Sequence, residues 1–159
     1  MSSQFSAAPS NLGYLYQTLY ALLLLLKSKE EMVLSIETLD DVVFEKDGNS
    51  REQLQLKHHI GQTANLTDIS PDLWKTIRVW STQLKNGTFS VNDTVLSLVT
   101  TAQAPDGSIG AMLKPGSKIR NIVEISQQLA KIAETSKSKN LEEAFAAYLA
   151  LSPKQRENL

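Results

Sequence analysis

Apolar and polar residues alternate most cleanly from Glu52 to His58. Leu54, Leu56 and His58 fall on one side of an extended chain, and Gln53, Gln55, Lys57 and His59 on the other. This pattern predicts a strand with one face turned to a core. Two shorter strands are predicted before it. Met32 to Glu37 carries the mostly apolar Val33 to Ile36, and Val42 to Glu45 places Val42 and Phe44 opposite Asp41, Val43 and Glu45. Lys46-Asp47-Gly48-Asn49-Ser50 is a turn signal, so the second and third strands form an antiparallel hairpin. Upstream, Leu12, Leu15, Tyr16, Leu19, Leu22, Leu23 and Leu26 keep a helical period. They predict a buried helix from Asn11 to Lys27, with Asn11 as its cap.

Downstream the period is helical again, with one more strand. Ser70-Pro71 opens a helix whose stripe is Leu73, Ile77, Trp80 and Leu84, and Gly87 stops it. Thr94 to Thr101 is rich in β-formers and predicts a fourth strand, reached through that helical crossover. Pro105 to Gly116 reads as a loop with room for one helical turn. Ile119 to Ala133 predicts a helix with Ile119, Ile122, Val123, Leu129 and Ile132 inward. Asn140 with Glu143 suggests a capping box for a helix that buries Phe145, Tyr148 and Leu149. The expected architecture is an α/β sandwich around a small mixed sheet, in the order helix, three strands, helix, strand, with extra C-terminal helices. Residues 1–10 are Ser/Ala/Pro-rich and expected to be flexible, and 11–159 to form one domain. Ser152-Pro153-Lys154-Gln155 signals another helix start close to Leu159, which suggests the N-terminal part of a longer protein.

Composition narrows the chemistry. The 159 residues include no cysteine, which excludes disulfides, thiolate metal sites and cysteine nucleophiles, and the two histidines are adjacent, so no spaced histidine set exists for zinc. The net charge of -1 neither favours nor opposes nucleic acid. Cations gather late in the chain, at Lys114, Lys118, Arg120, Lys131, Lys137 and Lys139, and read first as solvated helix faces. The apolar run Leu19 to Leu26 is far short of the roughly 20 residues of a membrane span. With no basic segment at the N-terminus either, the expectation is a cytoplasmic protein with no membrane partner.

The hairpin holds the candidate site. A register that keeps Val42 and Phe44 with Leu54 and Leu56 pairs even positions with even ones, and puts Asp41 on the face of Gln55 and Lys57. A carboxylate there can hold Mg²⁺, with Mn²⁺ as a substitute, because such ions keep several waters and need few protein ligands. Lys57 can orient the attacking water and offset negative charge on a phosphate. Gln55 offers an amide oxygen, and Leu56 a main-chain carbonyl. Glu37 is a further carboxylate, His59 a phosphate contact, and Gln17 an unusual amide in an apolar helix. The bland alternatives are a solvated Asp-Asp turn, a wet strand face, and core roles for Trp74 and Trp80.

Gly13-Tyr14-Leu15-Tyr16-Gln17, then Glu37 and Asp41, then Leu54-Gln55-Leu56-Lys57-His58-His59 resemble the N-terminal double-stranded-DNA endonuclease domain of bacterial antiphage effectors. These include effectors of cyclic-oligonucleotide (CBASS) systems, and their wider relatives are Mrr-like enzymes of the PD-(D/E)xK superfamily. Leu66 to Thr76 is similar to the segment that follows in such proteins. The resemblance implies a restriction-endonuclease-like core and a metal-dependent nuclease acting on duplex DNA. It makes Asp41 the metal ligand, Gln55 the replacement for the usual second acid, and Lys57 the catalytic lysine, with Glu37 and Gln17 beside them. Leu39-Asp40-Asp41 stands where the superfamily has Pro-Asp, so Asp40 and Asp41 both qualify as the ligand; strand pairing favours Asp41. A homo-oligomer or partner subunits of a defence complex are the expected assembly. The alternative is a nuclease-fold module without catalysis, serving DNA binding or subunit assembly. A different hydrolase has no motif to support it.

Overall fold

The computed structural model of the chain describes residues 8–28, 31–36, 42–59 and 63–159. It is an α/β protein divided into two compact units. The first comprises Met1–Gln62 and Asp93–Thr101, and the second Thr63–Asn92 and Ala102–Leu159.

The first unit holds α1 (Ala8–Lys27), β1 (Val33–Ile36), β2 (Val42–Lys46), β3 (Asn49–Lys57) and β4 (Val95–Thr100). The strands form one open sheet in the order β1-β2-β3-β4. The first two pairings are antiparallel and β3 with β4 is parallel, so the sheet is mixed as expected.

The β2–β3 connection is a two-residue loop. Asp47 and Gly48 both take positive φ, 54° and 74°, the backbone twist that tight hairpins require. Lys46 pairs with Asn49 and Glu45 with Ser50. Continued unchanged, that register would set Val42 against Gln53 and mix the two faces. It does not continue. Phe44 pairs with Glu52, so Arg51 is an extra residue on β3, a bulge. Beyond it Val43 meets Gln53 and Val42 meets Leu54, the even-with-even register.

Val42, Phe44, Leu54 and Leu56 form the core of this unit with Ala21 of α1, and Tyr16, Tyr20 and Leu24 pack around it. The sequence expectation for α1 therefore needs correction. Its inward side is Tyr16, Gln17, Tyr20, Ala21 and Leu24, while Leu12, Leu15, Leu19, Leu22, Leu23 and Leu26 are exposed. The helix is apolar on nearly every side, so its period marks a helix without marking which side is buried. The small Ala21 lets the backbone approach the sheet closely, and aromatic rings flank it. The helix also begins before Asn11, which lies within it and is not its cap.

The second unit is helical: α2 (Pro71–Lys85), α3 (Ile109–Leu113), α4 (Ile122–Thr135), a 3₁₀ turn at Lys139–Leu141, α5 (Glu142–Leu149) and α6 (Pro153–Asn158). Its core gathers on Trp74, which is fully buried, sits edge-on to Phe145 and Tyr148 at 4.7 and 6.0 Å, and donates Nε1–H to the Asp68 carbonyl at 2.7 Å. Trp74 and Trp80 are thus core residues. Leu73, Ile77 and Trp80 are buried as the stripe predicts.

Local signals in this unit succeed where they are stereochemically complete. Ser152 and Gln155 form a reciprocal capping box on α6, and Pro71 starts α2, though the Ser70 side chain makes no capping bond. The box expected at Asn140 and Glu143 does not form: α5 starts after the 3₁₀ turn, and Glu143 pairs with Arg78. In α4, Asn121 accepts a bond from the Glu124 amide and fixes the start at Ile122. Ile119, Ile122 and Val123 are consequently exposed, and Ile125, Ser126, Leu129 and Ala133 face inward. The six late cations are all exposed.

Two outcomes follow. Arg51 makes only a distant, largely exposed pair with Asp93 at 4.0 Å, so Arg51→Ala should cost less than about 0.5 kcal/mol. Deleting Arg51 lets the Glu45–Ser50 pair run straight on to Phe44–Glu52, so the turn and the core share one register without a bulge, and the deletion should shift stability by less than about 1 kcal/mol. Urea unfolding of both variants, each expected near the wild-type midpoint, checks this. For Tyr148, burial pushes the hydroxyl above its ordinary 10.0, against the opposing pulls of its bond to Ser126 and the Arg156 guanidinium. A folded value above the unfolded one leaves this contribution intact below pH 10 and removes it as pH rises further. The urea midpoint should fall more steeply above pH 10 in wild type than in Tyr148→Phe.

Candidate functional site

β3 is one of the two interior strands of the sheet, and its side chains divide between two faces. Glu52, Leu54 and Leu56 turn toward α1. Gln53, Gln55 and Lys57 turn away, on the same face as Val43. An alternating polar face suggests water, but this one is closed at its centre: Gln53 is 0% and Gln55 6% exposed. The wet-strand reading of Gln-x-Lys therefore fails for Gln55.

Lys57, half-buried, donates from Nζ to Gln55 Oε1 at 2.8 Å. This charge-assisted bond holds a cation and a hard oxygen together two residues apart. The strand end beneath it is clamped to β4. The Thr101 amide donates to the Lys57 carbonyl at 3.2 Å, and the His59 amide donates to Thr101 Oγ1 at 2.9 Å. Leu56, between Gln55 and Lys57, buries its side chain on the α1 face and pairs with Val99.

Gln53 is the residue that pattern reading passed over. Its side chain is fully buried, and neither amide atom has a hydrogen-bond partner among the described residues. A buried polar group left unpaired costs about 1–3 kcal/mol, so this face holds a polar demand that the described side chains do not meet. The signal was available: Gln53 shares the parity of Gln55 and Lys57.

The α1 face carries a second polar group. Tyr16 stacks on His58 with centroids 4.5 Å apart, and Glu52 accepts a bond from Ser97 Oγ at 3.1 Å. Burial first, then Tyr16 and the Glu52 charge, raise the Tyr20 hydroxyl above its ordinary value. Gln17 belongs to this side. It lies one helical turn before Ala21, and its Oε1 is buried without a hydrogen-bond partner. The structure thus brings Gln55 and Lys57 together and places Gln17 on the side of α1 that packs on the opposite face of β3. Glu37, Asp40 and Asp41 lie outside the described residues.

The donor set meets part of what a divalent metal needs. Gln53 and Gln55 supply hard amide oxygens, and Gln53 is orphaned, which suits an unseen polar partner. Among the described residues no group of three His, Cys, Asp or Glu could hold a metal. No helix among the described residues is long and apolar enough to cross a membrane. No family model, curated protein or solved structure gives a significant match to the chain.

Replacing the unpaired Gln53 amide tests the cost of this face. Gln53→Met keeps the length and removes both orphaned atoms, so it should raise stability by about 1 kcal/mol. A higher urea midpoint is the expected reading.

Proposed function

We propose that the chain is a metal-dependent endonuclease of the restriction-endonuclease-like class that hydrolyses duplex DNA, as the killing domain of a bacterial antiphage defence protein. The observation that carries this reading is the bond from Lys57 Nζ to Gln55 Oε1 on a buried strand face. Supporting it is the register: Val42 pairs with Leu54, the even-with-even pairing on which the sequence reading of the site rests.

In this reading Asp41 and the Gln55 amide oxygen would hold Mg²⁺, with Glu37 and the Leu56 carbonyl as additional ligands. The metal, when bound, supplies charge neutralisation at the phosphate and a more acidic water. The residues of the chain do the rest. Gln55 holds the Lys57 ammonium in place, so it need not be ordered at the moment of reaction. Lys57 orients the attacking water and offsets the charge that grows on the phosphodiester oxygens. Hydrolysis leaves a phosphate monoester and an alcohol. His59, at the same strand end, contacts the DNA backbone.

Supercoiled plasmid with Mg²⁺ is the substrate for the test. Wild type should nick it and stop on chelation, and Lys57→Ala should lower the rate by about 10²–10³-fold, the range for losing one positioned donor that offsets developing charge. Equal nicking by both would refute the role of Lys57. Calorimetric Mn²⁺ titration gives an independent reading: Asp41→Ala should lose binding that wild type shows. A wild type that neither nicks nor binds metal would favour the alternative of a non-catalytic module for DNA binding or subunit assembly.

A further inference from the structure

The apolar side of α1 that faces away from the sheet has an order of its own. Leu12, Leu15, Leu19, Leu22 and Leu26 are spaced three, four, three and four residues apart. This is the a/d repeat of a coiled-coil seam. All five are exposed, from 44% at Leu12 to 77% at Leu26. With steps of about 100° per residue, the seam lies roughly 160° around the helix from the side that holds Tyr20, Ala21 and Leu24. One side of α1 is spent on the sheet of its own chain, and the other carries a separate repeat.

From this we infer that α1 pairs with α1 of a second copy of this chain, seam to seam, in a two-fold dimer. Three observations select that occupant. The first is the strict spacing, which fits another helix with the same repeat better than a flat surface or a groove of arbitrary shape. The second is charge. From Ala8 to Leu26 the helix has no charged residue, and its last turn has only Lys27. Helices that lie on anionic membranes carry Lys and Arg along their polar side, and surfaces that track phosphate carry them throughout; α1 offers neither. The third is area. The five leucines with the neighbouring Leu23 leave on the order of 600 Å² exposed, the lower end of what each partner contributes to a stable interface of about 1,200–2,000 Å² in total. The inference stands apart from the nuclease reading: it needs neither Lys57 nor a metal.

Leu19 makes the test independent of strand sense. It is the midpoint of the stripe, so a two-fold axis brings Leu19 opposite its own copy whether the helices run parallel or antiparallel. The chain has no cysteine, so one introduced thiol reports cleanly. Leu19→Cys at micromolar concentration under mild oxidant should form a disulfide-linked dimer at least tenfold faster than Lys85→Cys, whose site is exposed on α2. Sedimentation equilibrium of the wild-type chain should give about twice its 17.6 kDa. Leu19→Glu with Leu22→Glu should give the monomer mass with an unchanged far-ultraviolet spectrum. Equal cross-linking of the two cysteine variants, or a wild type that stays at 17.6 kDa at 100 µM (about a hundredfold above a low-micromolar Kd), overturns the inference. So does a monomer that co-sediments with phosphatidylcholine vesicles, which would assign the leucines to lipid. Should the double glutamate variant fail to fold, the cysteine pair decides alone.

Discussion

One extra residue in β3 decides what every later side chain in that strand faces. The Asp47-Gly48 turn, left to itself, would pair Val42 with Gln53. Then Leu54 and Leu56 would leave the face of Val42 and Phe44, and the core against α1 would lose half its members. The bulge at Arg51 absorbs the conflict. Two local requirements that disagree by one residue, the turn's geometry and the core's parity, both come out satisfied. The remaining consequences are geometric. With the leucines committed to α1, the two glutamines and Lys57 have only the other face to occupy, and the bond between Lys57 and Gln55 follows from their separation by two residues.

That arrangement leaves a chemical asymmetry across the sheet. The α1 face is apolar with a polar fringe of Tyr16, His58, Glu52 and Ser97. The opposite face is buried yet lined at its centre by amides, one of them unpaired. A core selected for stability alone would have no reason to keep Gln53 and Gln55 there, since leucine or methionine fills the same space without desolvating an amide. Buried polar groups that cost stability are ordinarily kept for what they hold. The cost at Gln53 and the bond at Gln55 support a functional face on the same physical ground, with or without a metal.

The parts of this structure that were legible in the sequence are those fixed by short-range stereochemistry or strict alternation. The Asp-Gly turn, the parity of β3, the Ser70-Pro71 start and the helical stripe of Leu73, Ile77 and Trp80 all depend on a few neighbours. The grouping of Gln55 with Lys57 was legible for the same reason. What escaped depended on tertiary choice. Periodicity in α1 identified a helix but could not orient it, because leucines surround most of its circumference and the sheet prefers the side with alanine and tyrosine. In α4, Asn121 outcompeted the isoleucines upstream and set a different inward face. The burial of Gln53 was hidden because alternation separates two faces without saying whether the polar one is wet.

The orientation of α1 bears on more than prediction. A helix with a polar outer side would have needed no second repeat, and its leucines would have been spent inward. Here the sheet takes the aromatic and alanine side and leaves five leucines in register on the other. Such a stripe is costly in water and prone to indiscriminate association. Spacing by three and four converts that liability into a selective one, since only a helix with the matching repeat buries all five leucines together. The bulge in β3 and the stripe on α1 are therefore linked through the core they share. The even register supplies the surface against which α1 lays Tyr20, Ala21 and Leu24, and by taking that side of the helix it determines which side remains to meet a partner.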